Sequence, residues 1–370
     1  MIAATSVRGY AQAAVASGYE VIALDAFADK DLKHITKQPY KIKMHDWRVD
    51  VEDFKQVFSN VDLSEVEGFC YGSLFDAAPE LLDWVAERVQ IIGNTPEVLK
   101  KVKAFSFFNL LDDLQIKHPE VSLEVPLEPE NWLCKQIGGS GGVHVRPALH
   151  NVFADYFQQE VYGEPVSMLF VADGKEVQAI GFNRQLVAPT PELPYRFAGA
   201  VGGVKLPDVV EKVFYEAARK LTAAMGLRGI CSLDAVLEGE TLWILELNPR
   251  LSATFDLYHG DLYQGELPPN LMPNLMLAHL QGCMGNLPQL PIFATSTAQL
   301  ILYADDTLVL PLDFAWPAWA IDIPPTDQAS NNIMIEKNAP ICSVRAEAET
   351  DELAFAQVIQ RAKILKEMMR

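Results

Sequence analysis

Two apolar-rich runs, residues 231–237 and 241–248, flank Glu238-Gly-Glu240 and predict a β-hairpin closed by a tight turn. Side chains alternate across a strand, so Glu246 and Asn248 share one face while Leu245 and Leu247 occupy the other. The turn brings Asp234 of the first strand beside them. A lone acidic residue on an edge strand would simply meet water. Three oxygen donors converging across one hairpin suit a hard cation such as Mg2+. Arg250 follows on the same alternation, where a fixed cation would serve an anionic substrate or intermediate.

Upstream, the apolar pattern predicts alternating strands and helices. Residues 2–4 and 20–24 read as strands around a helix that ends near Gly18. Residues 66–71 and 89–92 are further strands around a helix over 78–87. Residues 1–95 therefore form a small doubly wound domain. Asp25, at the end of the second strand, invites a nicotinamide-binding reading. The first turn lacks the Gly-x-Gly-x-x-Gly pattern that lets a pyrophosphate approach, which argues against it.

Thr95-Pro96 starts a helix that carries Lys100, Lys101 and Lys103 and runs to about Leu111. Pro119, Pro126 and Pro129 mark a connector, and residues 132–137 form a strand that runs straight into Gly138-Gly-Ser-Gly-Gly142. Glycines after a strand expose backbone N–H groups to phosphate oxygens, and Lys135 supplies the cation such a site needs. Residues 155–162 close on Gly163, and Gln159, Glu160 and Val161 there present polar groups and backbone edges suited to a base. A hairpin follows, 166–172 with 176–184, then a helix over 208–225 whose apolar positions (Val209, Val210, Val213, Phe214, Leu221) serve packing. Residues 291–370 read as an α+β segment with strands at 298–304 and 340–346 and a helix over 352–369. Trp316 and Trp319 within it are expected to be buried structural aromatics rather than a substrate wall.

Composition narrows the ligands. The chain has 370 residues, 49% of them hydrophobic, enough for two or three well-packed domains. A formal charge of −19 argues against nucleic-acid backbones and anionic membranes as partners and leaves small molecules. No apolar run approaches the roughly 18 residues of a membrane span, and the Ala-rich start lacks the basic and apolar regions of a signal peptide. Cys70, Cys134, Cys231, Cys283 and Cys342 lie far apart without metal-type spacing, as reduced residues of a cytoplasmic protein would.

In this order the pieces resemble the ATP-grasp superfamily: Lys103 on a helix, Lys135 on a strand before the glycine loop, the 159–161 hinge, and Asp234 with Glu246-Leu-Asn248-Pro-Arg250. Within it the chain looks most like the predicted ATP-dependent carboligases related to biotin carboxylase. That match rests on Ser6-Val-Arg8, Asp25-Ala-Phe27-Ala-Asp29, Gly181-Phe-Asn-Arg-Gln185, Trp316-Pro-Ala-Trp319-Ala-Ile-Asp322 and Pro340-Ile-Cys-Ser-Val344. This branch is associated with tetrahydromethanopterin- and methanofuran-linked one-carbon metabolism. The grasp core is also similar to tyramine–glutamate ligases of methanofuran synthesis.

The resemblance implies an α/β and α+β architecture: a doubly wound domain before the grasp (1–95), an ATP-grasp domain (96–290, with its small nucleotide lobe at 130–195) and the C-terminal α+β segment (291–370). It implies that Lys103 and Lys135 hold the phosphates of ATP, that Gly138, Gly139, Ser140, Gly141 and Gly142 close over them, and that Gln159, Glu160 and Val161 meet the adenine. Asp234, Glu246 and Asn248 would hold one or two Mg2+ or Mn2+ ions, with Glu246 as the bridge. Many amide-forming relatives carry an arginine two residues before the first metal aspartate, where this chain has Ser232. Charge stabilisation then falls to Arg250 or Arg184.

The function so implied is an ATP-dependent ligase that activates a small carboxylate as an acyl phosphate for attack by an amine. The alternatives are carboxylation of the biotin-carboxylase type, with bicarbonate as the activated carboxylate, and nucleotide binding without turnover. His144 and His259 are candidate acid-base groups whose simpler reading is structural. The resemblance admits a homodimer, for which the sequence carries no signal of its own.

Overall fold

A computed structural model describes residues 1–36, 39–150, 154–258, 274–290, 293–325 and 332–370. His259 lies outside the described residues. The N-terminal strands Ile2–Ala4, Ala23–Asp25, Pro39–Lys41 and Cys70–Tyr71 form a parallel sheet with Ile2–Ala4 inside it, between Ala23–Asp25 and Cys70–Tyr71. The strands expected at 20–24 and 66–71 are shorter than their apolar runs. Ile2–Ala4 offers three residues to pair with, Ile2 opposite Ala23 and Ala4 opposite Asp25, and this caps the ladder. Phe69 extends it by a single bridge to Ile91. Phe54, Phe58, Phe69 and Phe75 pack edge-on or stacked beneath the sheet.

The single helix expected from Pro96 to about Leu111 is two, Pro96–Lys103 and Phe107–Asp113. Ala104 breaks it with an extended backbone (ψ 151°), so the first helix ends on Lys103. A small antiparallel sheet follows, with Tyr156–Gln159 between Val121–Ser122 and Trp132–Lys135, and Arg146–Pro147 at the far edge.

The largest element is an eight-stranded antiparallel sheet that begins with the hairpin Arg228–Glu238 and Thr241–Asn248 and continues through Glu164–Asp173, Val177–Val187 and Phe197–Gly202. Ser296–Tyr303, Pro340–Ala348 and Ala320–Ile321 extend the same sheet, so strands of the C-terminal segment are hydrogen-bonded onto those of the grasp. Strand Glu164–Asp173 is buried on both faces, which explains its unbroken apolar run. Met168 and Phe170 face helix Asp208–Met225, while Leu169 and Val171 face helix Leu275–Cys283. Helix Asp208–Met225 buries Val210, Phe214, Ala217 and Leu221, and leaves Val209 and Val213 at the surface. Gly226, in the left-handed region at φ 67°, ends it. Helix Asp351–Met368 covers the C-terminal strands, and Trp316 and Trp319 pack into that core as expected of structural aromatics. The five cysteines form no disulfide with one another, and all but Cys283 are buried.

Candidate active site

A cavity of about 1110 Å³ opens between the small sheet, the large sheet and the N-terminal domain. Its volume lies at the upper end for small-molecule sites, as two or more substrates held together require. The hairpin strands form its floor. Asp234 stands directly opposite Glu246 and Ser232 opposite Asn248, so the face predicted to gather oxygen donors does gather them. Asn248 donates from Nδ2 to Asp234 (3.2 Å) and to Glu246 (3.3 Å), and its Oδ1 accepts from Lys103 (3.1 Å) and Arg250 (2.9 Å).

The two carboxylates behave as a pair. Burial, then the neighbouring Glu246, pushes the Asp234 carboxyl up; burial also raises Glu246, but Lys103 and Lys135 more than reverse this and hold it low. The paired carboxylates fit a hard divalent cation, to which Asn248 would offer its Oδ1 by turning an amide that now presents Nδ2 to them. Among the described residues no group of three His, Cys, Asp or Glu side chains could hold a metal. A cation here therefore depends on Asn248 and on oxygens brought by a substrate, as Mg2+ in phosphate sites commonly does.

Arg250 is buried and clasped by a residue that sequence reading passed over. Its Nη2 and Nε donate to the two carboxylate oxygens of Asp76, at 2.6 and 3.3 Å, and Lys103 lies 3.4 Å from the same carboxylate. Asp76 follows strand Cys70–Tyr71 of the N-terminal sheet and is only 1% exposed. The carboxyl end of a parallel strand is where doubly wound sheets place ligand-binding residues, and this was the signal available in the sequence.

Arg184 is not in the cavity. It lies on strand Val177–Val187, where neighbouring side chains take opposite faces, and it pairs with Asp351 (2.8 Å) and Glu164 (3.3 Å) and approaches the ring of Phe355. The next residue, Gln185, is the one that lines the cavity and hydrogen-bonds Asp234. Of the two arginines expected to stabilise charge, the structure places Arg250 in the cavity and Arg184 outside it. Ser232 itself is buried beside Asn248.

Above the floor, Lys135 donates to Gln158 Oε1 at 2.5 Å, and burial lowers its pKa. Gln158 is buried, and its Nε2 has no partner among the described residues, a donor waiting for a ligand acceptor. The glycine loop lies over this pair. Gly138 (φ 71°) rests against the N-terminal domain, where a Cβ would come within 2.2 Å of the Asp76 carbonyl oxygen. Gly142 (φ 69°) packs as tightly on the Tyr195 carbonyl, and Gly141 accepts from the Phe197 N–H. Gly139 and Ser140 complete the cavity's roof, with the His144 ring packed against Gly139. Burial and Lys135 bring His144 down to about 4; its ring lines the cavity, and its Nδ1 has no partner among the described residues.

Gln159, Glu160 and Val161 line the cavity where the chain crosses from the small sheet to the large one. The backbone N–H groups of Gln159 and Glu160 are committed to Glu120 (2.8 Å) and Asn131 (2.7 Å). The Glu160 carboxylate accepts from Tyr195 and Tyr162.

Residues 101–254 match the model of the ATP-grasp domain family. The tyramine–L-glutamate ligase of Methanocaldococcus jannaschii is 29% identical over 176 residues, a stretch that covers 46% of this chain and 46% of that protein. Among solved structures, N5-carboxyaminoimidazole ribonucleotide synthetase from Thermotoga maritima superposes with a TM-score of 0.66 at 13% identity, over 98% of this chain and 97% of its own. The biotin carboxylase domain of the Hydrogenobacter thermophilus 2-oxoglutarate carboxylase, solved with MgADP and bicarbonate, gives 0.69 at 12% identity over 96% and 88%. Residues 101–254 thus match an ATP-grasp domain, and the chain shares the fold of these two enzymes along nearly its whole length.

Proposed function

We propose that the protein is an ATP- and Mg2+-dependent carboxylate–amine ligase acting on small molecules. The observation that carries the proposal is the convergence of Asp234, Glu246, Asn248, Lys103 and Arg250 on one cavity floor beneath Lys135 and a glycine loop. A carboxylate is a poor electrophile, and transfer of the γ-phosphoryl group of ATP to it gives an acyl phosphate that an amine can attack with release of phosphate. Asp234, Glu246 and Asn248 would hold Mg2+, which when bound neutralises charge on the phosphoryl oxygens. Lys103 and Lys135 would hold the phosphates. Gln159, Glu160 and Val161 would receive the adenine, with the glycine loop Gly138–Gly142 as the cover that excludes water. Arg250, fixed by Asp76, would meet the developing negative charge on the substrate carboxylate.

The relative named for joining tyramine to L-glutamate supports an amide-forming reaction. The resemblance to ligases of methanofuran synthesis extends the proposal to one-carbon cofactor assembly in the cytoplasm. The test is phosphate release from MgATP across a matrix of carboxylic acids and primary amines. Release that needs one member of each class, and falls by about 100-fold or more in Glu246→Ala, is the expected result. Release driven by bicarbonate alone would instead identify a carboxylase. ADP formation that needs no second substrate and survives Glu246→Ala would sink the assignment.

A further inference from the structure

Four of the sequence motifs that mark the closer family resemblance play no part in the nucleotide site, yet they meet at the other end of the cavity. Arg8 joins them. Its guanidinium, 3% exposed, pairs with Asp256 and donates from Nε to Asp322 at 2.7 Å, which ties the N-terminal domain to the loop after the floor strand and to the C-terminal segment. The Lys30 N–H donates to the Ile323 carbonyl (3.0 Å) and the Ile323 N–H to the Asp31 carboxylate (3.1 Å). These bonds seat Asp322 beside Asp29. Ser6, Phe27, Asp29, Asp322 and Cys342 all line the cavity there.

This end is electrostatically unbalanced. Asp25 is satisfied by the backbone N–H groups of Val7, Phe27 and Ala28. Arg8 is spent on Asp256 and Asp322. Asp29 is different: it is 1% exposed, its Oδ1 caps helix Lys30–Ile35 by accepting from the Leu32 N–H at 2.7 Å, and its Oδ2 has no partner among the described residues. Burial, with Asp322 and Asp25 nearby, pushes its carboxyl up to about 7. Among the described residues the other cation lining this end is Lys41, at the exposed rim. An unpaired buried carboxylate oxygen costs stability unless a donor arrives, and a cationic donor satisfies it best.

We propose that this end of the cavity is the amine subsite, in which Asp29 and Asp322 bind the ammonium group of a primary amine while the aromatic ring of Phe27 lies alongside its carbon chain. The inference rests on the ligase reading for its context and adds the recognition of the second substrate. Arg8 is a positioning residue here. Its Nε bond to Asp322 Oδ1 holds that side chain in place, and so fixes one of the two carboxylates.

The experiment is calorimetric titration of the full chain, with MgATP present, using butylamine, phenethylamine and the neutral 2-phenylethanol as probes. At millimolar concentration at least one amine should bind and the alcohol should not. Asp29→Asn keeps the cap, because an asparagine oxygen accepts the same Leu32 N–H, and removes only the charge. It should weaken amine binding by about 10- to 100-fold and leave MgATP binding unchanged. Asp322→Asn should do the same to a lesser degree.

Failure of both amines to bind, or binding that ignores Asp29→Asn while MgATP binding shows the variant folded, overturns the subsite. Should Asp29→Asn lose MgATP binding, Asp322→Asn serves as the second variant; amine affinity unchanged in that variant when folded would also overturn it. Amine binding that depends on Asp29 without any amine-stimulated phosphate release would leave the subsite standing and remove the ligase reading instead.

Discussion

The clasp between Asp76 and Arg250 makes a demanding test of how the site is built. Asp76→Asn preserves shape and removes one charge from a cluster in which Arg250 is 7% exposed, Lys103 8% and Asp76 1%. Two buried cations then lose their common counter-ion. Removing one partner of a buried, hydrogen-bonded ion pair costs about 3–5 kcal/mol, because the charge left behind is uncompensated. Asn248 Oδ1 still accepts from both cations, and Glu246 stays 4.0 Å from Lys103, which puts the expectation at the lower end, about 3 kcal/mol. At this chain length that corresponds to a fall of about 4 °C in Tm, measured by far-ultraviolet circular dichroism with the wild type alongside. The double variant Asp76→Asn/Arg250→Met removes the stranded guanidinium as well, so its loss should be smaller than the sum of the single losses by about 2 kcal/mol. A single-variant shift below about 2 °C, or losses that simply add, would refute the picture of a charge cluster assembled across the domain boundary.

Three further outcomes are expected. Arg184→Gln should leave amine-dependent phosphate release within about twofold of wild type and cost at most about 1 kcal/mol in stability, because its partners Asp351 and Glu164 lie outside the cavity; a large loss of kcat would return Arg184 to the site. Gly138→Ala forces a Cβ onto a left-handed backbone against the Asp76 carbonyl, so the KM for ATP should rise about tenfold and the loop should be cut faster in limited proteolysis, with KM unchanged as the refuting result. His279 accepts the Ile230 N–H on Nδ1 and donates from Nε2 to the Ile92 carbonyl, which fixes it as neutral, and burial lowers it to about 4. Between that value and about 6.5 the unfolded chain binds more protons than the folded one. Its contribution is therefore complete above pH 6.5 and is lost as pH falls towards 4, about 3 kcal/mol that His279→Gln should remove from an acid titration of Tm.

The parts of the site legible in the sequence are those set by local geometry. Asp234, Glu246 and Asn248 lie on two strands joined by a short turn, so alternation and the turn fix their meeting without reference to the rest of the chain. The glycine loop and Lys135 are equally local. Asp76 is not, since its partner Arg250 is 174 residues away and the apolar run before Asp76 advertises only a buried strand end. Arg184 and Gln185 show the reverse difficulty. The pattern places both on one strand, but which face meets the cavity depends on what packs behind the strand, and that is helix Asp351–Met368, more than 150 residues later. The break at Ala104 escaped for a related reason, because helix periodicity continues through it while Lys103 is held by Asn248 and Asp76.

These non-local contacts have a consequence for how the enzyme would turn over. Asp76 bridges the cavity's floor and roof: its carboxylate holds Arg250 and Lys103 on the floor, and its own carbonyl lies against Gly138 in the roof. On the far side, Arg8 ties Asp256, which follows the floor strands, to Asp322 of the C-terminal segment. The N-terminal domain is therefore the member against which floor, roof and amine end are all registered. A roof that swings away to admit ATP gives up the Gly138 contact but leaves the Asp76 clasp intact, so opening need not disturb the charge cluster. Substitutions in the Gly138 contact should then act on nucleotide entry and KM, and substitutions in the Asp76 clasp on kcat and stability together. Stopped-flow nucleotide binding set against single-turnover phosphate release separates the two. Equal effects of Gly138→Ala and Asp76→Asn on both measurements would show that roof and floor move as one body.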